Sequence, residues 1–142
     1  MTKLKLDYVD LYLIHFPVPD IDYKEGIIKK KIPMIEVWKE MERMVDLGLT
    51  KSIGVSNFPV VMMIDLLTYC KIKPVTNQVE MHPYFVRKEF VEFHNKFGIS
   101  VTAYAPIGAS GFPYKPPQYK DLKPMKDPVI LEIAKKYDKS PA

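Results

Sequence analysis

Residues 51–58 read KSIGVSNF. Ile53, Gly54 and Val55 form the apolar centre of a strand, Ser56 and Asn57 close it, and Phe58 and Pro59 follow at once. A strand in a packed interior does not end on a hydroxyl and a carboxamide unless something meets them, because a buried polar group without a partner costs about 1–3 kcal/mol. The carboxyl end of this strand is therefore where a ligand is expected. The rest of the chain decides what kind.

Working outward from 51–58, strand-like and helix-like segments take turns. Upstream, residues 33–48 place Met34, Trp38, Met41 and Val45 at four- and three-residue spacing, the period of a helix with one apolar face. Before it, a polar loop covers 18–32, and YVDLYLI (8–14) reads as a buried strand. Downstream, 59–70 is helical, with Val60, Ile64 and Leu67 on one face and Pro59 at the start, a position where proline is tolerated. PVTNQVE (74–80) alternates as a strand. Residues 87–97 carry Phe90, Phe93, His94 and Phe97 in a helix, and 99–104 form another strand. A Pro- and Gly-rich loop follows from 107 to 126. Asp127-Pro128 is an N-cap and first helical position opening a last helix, with Val129, Ile130, Ile133, Ala134 and Tyr137 on its apolar side. Strands alternating with helices predict parallel strands covered by helices, in a single domain over 1–142.

Each strand stops on a polar or aromatic residue with proline close behind: His15-Phe-Pro, Ser56-Asn57-Phe-Pro, His82-Pro and Tyr104-Ala-Pro. Parallel α/β folds bind ligands beyond the carboxyl ends of their strands. Those ends are thus expected to line one wall of a small-molecule pocket. His15 can hydrogen-bond a substrate oxygen. Ser56, Asn57 and Gln78 offer a hydroxyl and two carboxamides, the complement of an amide-bearing ring such as nicotinamide. Tyr104 offers a flat face on which such a ring can stack.

Composition narrows the alternatives. Of 142 residues, 47% are hydrophobic, enough for a packed core, and the net charge of +4 comes from scattered lysines. That distribution points away from nucleic acid. No apolar stretch approaches the roughly 18 residues that span a bilayer. The single cysteine, Cys70, closes an apolar helical run, where a buried inert thiol is expected; one cysteine allows no internal disulfide and suits a reducing compartment, so a cytoplasmic location is expected. Glycine-rich phosphate loops, zinc-protease spacing and a serine-hydrolase elbow are all missing, and His15, His82 and His94 lack metal-ligand spacing, so no metal is expected. His94, inside a helix, is expected to pack.

Four stretches resemble the aldo-keto reductase superfamily, in its aldose-reductase-like branch: LKLDYVDLYLIHFP (4–17), VWKEMERMVDLGLTKSIGVSNF (37–58), PVTNQVEMHPY (74–84) and GISVTAYAPIG (98–108). The resemblance implies a partial (β/α)8 TIM barrel of four parallel βα units, units four to seven, and reduction of small carbonyl substrates, aldehydes or ketones, by hydride transfer from NADPH. It implies that His15 is the active-site histidine, that Ser56, Asn57 and Gln78 hold the nicotinamide carboxamide, and that Tyr104 stacks on the ring. Ala105, Ile107 and Ala109 then begin the loop over the cofactor pyrophosphate. Phe16 lines the substrate pocket where aldose reductases commonly have tryptophan, which implies a slightly wider pocket. Departures from the family pattern are Ala105 for a serine, and Ala109 and Gly111 for a serine and an aspartate.

The resemblance also implies that the family's catalytic Tyr, Asp and Lys, and the last strand, lie outside these 142 residues. The chain is accordingly expected to be a fragment of a longer oxidoreductase, inactive alone and able to self-associate through open sheet edges, whereas the complete protein is expected to be a monomer. The alternative is a non-catalytic module that binds a nicotinamide cofactor or serves as a half-barrel interaction domain.

Overall fold

The computed structural model describes residues 2–18, 21–22, 24–28, 30, 32–108 and 123–142. The major elements in chain order are β1 (Val9–Ile14), β2 (Ile21–Asp22), β3 (Ile27–Ile28), α1 (Met34–Asp46), β4 (Thr50–Ser56), α2 (Val60–Tyr69), β5 (Thr76–Glu80), α3 (Lys88–Lys96), β6 (Ser100–Tyr104) and α4 (Pro128–Lys136). Four strands form one parallel sheet in the order β1-β4-β5-β6, the expected α/β arrangement. The register pairs Val9 with Thr50 and Ile14 with Val55, then Val55 with Asn77 and Ser56 with Gln78. Consecutive pairs are joined by α1, α2 and α3, because a parallel return needs a long crossover.

The described residues among 1–79 and 88–102 make one compact unit, and those among 80–87 and 103–142 a second. In the first, Trp38 and Met41 of α1, Ile53 and Val55 of β4, Met63 and Leu66 of α2, with Phe58 and Ile99, close into one core. Ile53 and Val55 lie two apart in a strand and therefore share a face. The Trp38 indole N–H donates to the Ile72 carbonyl at 3.1 Å. Glu42, buried one turn further along α1, accepts from the backbone N–H groups of Lys71 and Ile72 at 2.7 and 2.9 Å. Helix α1 thus fixes the loop after α2 by packing and by polar pairing together. The start of β6 joins the same unit: Ser100 N donates to Val75 O at 3.0 Å, and the Thr76 and Thr102 hydroxyls pair at 2.9 Å.

In the second unit, Asp127 caps α4 as expected, its Oδ1 accepting from Val129 N at 2.8 Å and Ile130 N at 3.3 Å. Its Oδ2 accepts from the Tyr84 hydroxyl at 2.5 Å, which ties residues 80–87 to the start of the helix. Burial on α4 falls on Ala134, while Val129, Ile133 and Tyr137 are exposed, so its expected apolar side is largely uncovered.

Four local expectations need correction. Strand β1, expected to be buried, leaves Leu11 and Tyr12 exposed. The loop over 18–32 contains an antiparallel pair, β2 with β3, because the Asp22 carboxylate accepts from Lys24 N and Glu25 N and folds an Asx-type turn. On α2 the buried face is Met63 and Leu66, and Ile64 is exposed. Residues 60–64 are apolar all round, so periodicity could not select a side. Cys70 is half-buried rather than enclosed, and that burial, with Glu42 nearby, pushes its thiol pKa up, consistent with an unreactive group.

Candidate functional site

In the first unit the ends of β1, β4 and β5 are stitched together by one short turn. Parallel pairing delivers His15, Ser56 and Gln78 to the same end of the sheet. Asn57 follows Ser56 with φ of 62°, in the left-handed region that asparagine tolerates better than most residues. Its backbone N–H donates to Gln78 O at 2.9 Å, and its Nδ2 donates to His15 O at 2.9 Å and to Ser56 Oγ at 3.1 Å. The Ser56 hydroxyl donates to Gln78 O at 2.7 Å. One asparagine therefore ties three strand ends, and the structure brings His15, Ser56, Asn57 and Gln78 together. Phe16 is exposed beside His15, the two rings 4.9 Å apart and tilted by 47°.

The hydrogen-bond roles follow from donor counts. Ser56 has spent its only proton on Gln78 O, so toward a ligand it can only accept. The Gln78 side chain is half-buried and, among the described residues, has no hydrogen-bond partner, so it can both donate and accept. A primary carboxamide on a ligand needs such a mixed set.

Two residues behind the turn were not singled out for the site from sequence. Asn77 is wholly buried on the opposite face of β5 from Gln78. Its Nδ2 donates to Phe58 O at 2.9 Å and its Oδ1 accepts from Phe58 N at 3.4 Å. His94, also wholly buried, lies with Nε2 3.0 Å from Asn77 Nδ2 and Nδ1 2.7 Å from Phe90 O. His94 does pack, as expected from its helix, but it also closes a polar chain. The available signal was a polar residue at an inward strand position, which alternation alone cannot distinguish from a solvent-facing one.

Burial holds the His94 pKa below its ordinary 6.5, opposed in part by the Phe90 carbonyl. The unfolded chain then binds the proton more readily than the native one, so stability rises with pH across this window and is lost as pH falls below about 6.5. One such group contributes a slope of at most about 1.4 kcal/mol per pH unit. Urea unfolding of the wild type and of His94→Gln between pH 7 and pH 5 should show a slope present in the first and reduced in the second; identical slopes would refute the neutral native imidazole.

The remaining candidates belong to the second unit. Tyr104 closes β6, and its carbonyl accepts from Met81 N at 3.3 Å. Burial raises its hydroxyl pKa, Glu80 adds to the rise, and Arg87 opposes it. Ala105 takes φ of 51° and its carbonyl accepts from Gly108 N at 2.8 Å, so a tight turn follows the strand. Ile107, within that turn, is exposed. Ala109 lies outside the described residues. Among the described residues no group of three His, Cys, Asp or Glu side chains is placed to hold a metal ion, and no helix is long and apolar enough to cross a membrane.

Comparison with known proteins agrees with this architecture. An aldose reductase structure from Schistosoma japonicum superposes with a TM-score of 0.81 at 38% identity, over 99% of this chain and 44% of that one. The NADP-dependent D-sorbitol-6-phosphate dehydrogenase of Malus domestica is 38% identical across 100% of this chain and 49% of its own length. The NADPH-dependent D-xylose reductase of Meyerozyma guilliermondii is also 38% identical, across 100% and 50%. Aldose reductase C of Dictyostelium discoideum is 40% identical, across 100% and 45%. The chain spans about half the length of the curated relatives it matches. The profile of the Aldo/keto reductase family matches residues 1–142, and the chain belongs to that family.

Proposed function

We propose that residues 1–142 supply the nicotinamide-holding and carbonyl-orienting part of an NADPH-dependent reductase that converts aldehydes or ketones to alcohols. The observation that carries this is the Asn57 turn, which holds His15, Ser56 and Gln78 at one end of three parallel strands. Its donor set fits a nicotinamide carboxamide: Ser56 accepts, and Gln78 donates and accepts. The bound cofactor would supply the hydride. His15 would donate a hydrogen bond to the substrate carbonyl oxygen, orienting it and stabilising the negative charge that develops there. Because Asn57 grips the His15 carbonyl as well as Ser56, the group that orients the substrate and the groups that hold the ring share one support. Phe16, exposed beside His15, would form an aromatic wall for the substrate.

Tyr104, Ala105, Ile107 and Ala109 enter the proposal on the family resemblance, as the stacking face and the start of the loop over the pyrophosphate. The relatives named for NADP- or NADPH-dependent sugar and sugar-phosphate chemistry support the cofactor and a small carbonyl substrate.

The test is NADPH titration of the full-length protein with paired variants at one position. Asn57→Gly keeps the left-handed backbone without strain, whereas Asn57→Ala adds a Cβ penalty of about 1–2 kcal/mol to stability. Both remove the carboxamide, and both should weaken NADPH binding about tenfold, or about 1.4 kcal/mol. Only Asn57→Ala should also lose thermal stability from strain. Unchanged NADPH affinity in both variants would overturn the assignment.

A further inference from the structure

Phe58 is the residue whose peptide leaves the Asn57 turn, and both of its backbone polar groups are taken by one side chain. The Asn77 carboxamide accepts from Phe58 N through Oδ1 and donates to Phe58 O through Nδ2. That pairing exists in one orientation of the amide only; rotated by half a turn, it would set nitrogen against N–H and oxygen against C=O. His94 enforces the same orientation from a second side. The Phe90 carbonyl can only accept, so the His94 nitrogen 2.7 Å from it, Nδ1, carries the proton. Nε2 is then a lone-pair acceptor, and the atom of Asn77 facing it at 3.0 Å must be the NH2 group. The direction of each hydrogen bond is thus dictated in sequence from Phe90 O through His94 and Asn77 to the Phe58 backbone. Asn77 and His94 are wholly buried, so bulk solvent offers neither an alternative partner.

In the plane of the sheet, the neighbouring Gln78 carbonyl accepts from Asn57 N and Ser56 Oγ. Residues 56–58 are therefore held by β5 twice, through the Asn77 side chain and through the Gln78 backbone. We propose that Asn77 and His94 are positioning residues for the nicotinamide-carboxamide site: His94 enforces the amide orientation of Asn77 that clamps Phe58 and so fixes Ser56 and Asn57. The proposal rests on the carboxamide role of Asn57 given above. Neither residue touches cofactor or substrate; both act through the turn.

The experiment uses the full-length protein with NADPH as the probe. His94→Leu removes the acceptor for Asn77, whereas His94→Gln places a carbonyl oxygen near the Nε2 position and can restore it. His94→Leu should weaken NADPH binding about five- to tenfold at temperatures where circular dichroism shows it folded, and His94→Gln should recover most of that loss. In an Asn57→Gly background the His94→Leu change should cost less than it does alone, because part of its effect travels through a side chain already removed. Undiminished affinity in His94→Leu while Asn57→Gly remains weakened would overturn the positioning role, and so would a fully additive double variant. Undiminished affinity in Asn57→Gly itself would instead remove the carboxamide assignment on which the proposal depends. Should His94→Leu fail to fold, nitrogen NMR of the wild-type imidazole decides the matter: protonation on Nδ1 with a bare Nε2 supports the chain of direction, and the opposite tautomer ends it.

Discussion

Trp38→Ala should be the most destabilising single truncation in the first unit, at about 3–5 kcal/mol. Trp38 is wholly enclosed, and it fills the space between α1, β4 and α2 beside Met41, Ile53, Val55, Met63 and Leu66. Its removal deletes the largest apolar surface of that cluster and leaves a cavity that the flanking sheet cannot close by relaxing. The Ile72 carbonyl also loses its indole donor. Domains of this kind are stable by only about 5–15 kcal/mol, so the change takes a large part of the total. Trp38→Phe separates the contributions: it keeps most of the volume, loses the N–H, and should fall well short of the alanine variant. Unfolding in urea followed by far-UV circular dichroism is the appropriate measurement, because this chain has a single tryptophan and its fluorescence vanishes with the substitution. A loss below about 1 kcal/mol would show that this core is not what holds the helices to the sheet.

Gly54→Ala should be the second large effect, although it adds only one methyl group. Gly54 lies on the strand face opposite Ile53 and Val55. A Cβ there would sit 2.8 Å from the Thr76 carbonyl oxygen, 2.8 Å from Leu13 Cδ2 and 3.2 Å from Thr76 Cγ2. The leucine could rotate away. The Thr76 carbonyl belongs to the backbone at the start of β5 and can yield only if β4 and β5 separate. Overpacking of this kind costs about 1–3 kcal/mol. It also moves the strand that carries Ser56 relative to the one that carries Gln78, so NADPH affinity should fall with stability. Gly98→Ala is the control: it meets nothing within 4 Å but holds φ of +70°, so it should cost about 1–2 kcal/mol in stability and leave cofactor affinity alone. Equal effects of the two substitutions on affinity would remove the argument from strand spacing.

Much of this was legible in the residues themselves. The four-residue and three-residue spacing from Met34 to Val45 gave α1 and its buried face, with Trp38 and Met41 at its centre. Asp127-Pro128 marked the start of α4 to the residue. His15, Ser56, Asn57 and Gln78 were legible as a group because parallel strands present their ends together, and the structure does gather them. Where signals were degenerate, the sequence misled. The uniform apolar run through 60–64 hid which side of α2 was buried, and two-residue strands such as β2 and β3 are too short to show alternation.

From its order of residues alone, this chain declares alternating strands and helices, one apolar stripe on α1, and polar groups at the strand ends, because each of these depends on spacing along the backbone. Which hydrogen bonds those polar groups make was settled only by tertiary packing. The grip of Asn57 on His15 spans 42 positions, and those of Asn77 on Phe58 and on His94 span 19 and 17. No local pattern encodes such pairs: they arise when separate elements bring donors and acceptors together, those of Asn77 and His94 out of reach of bulk water.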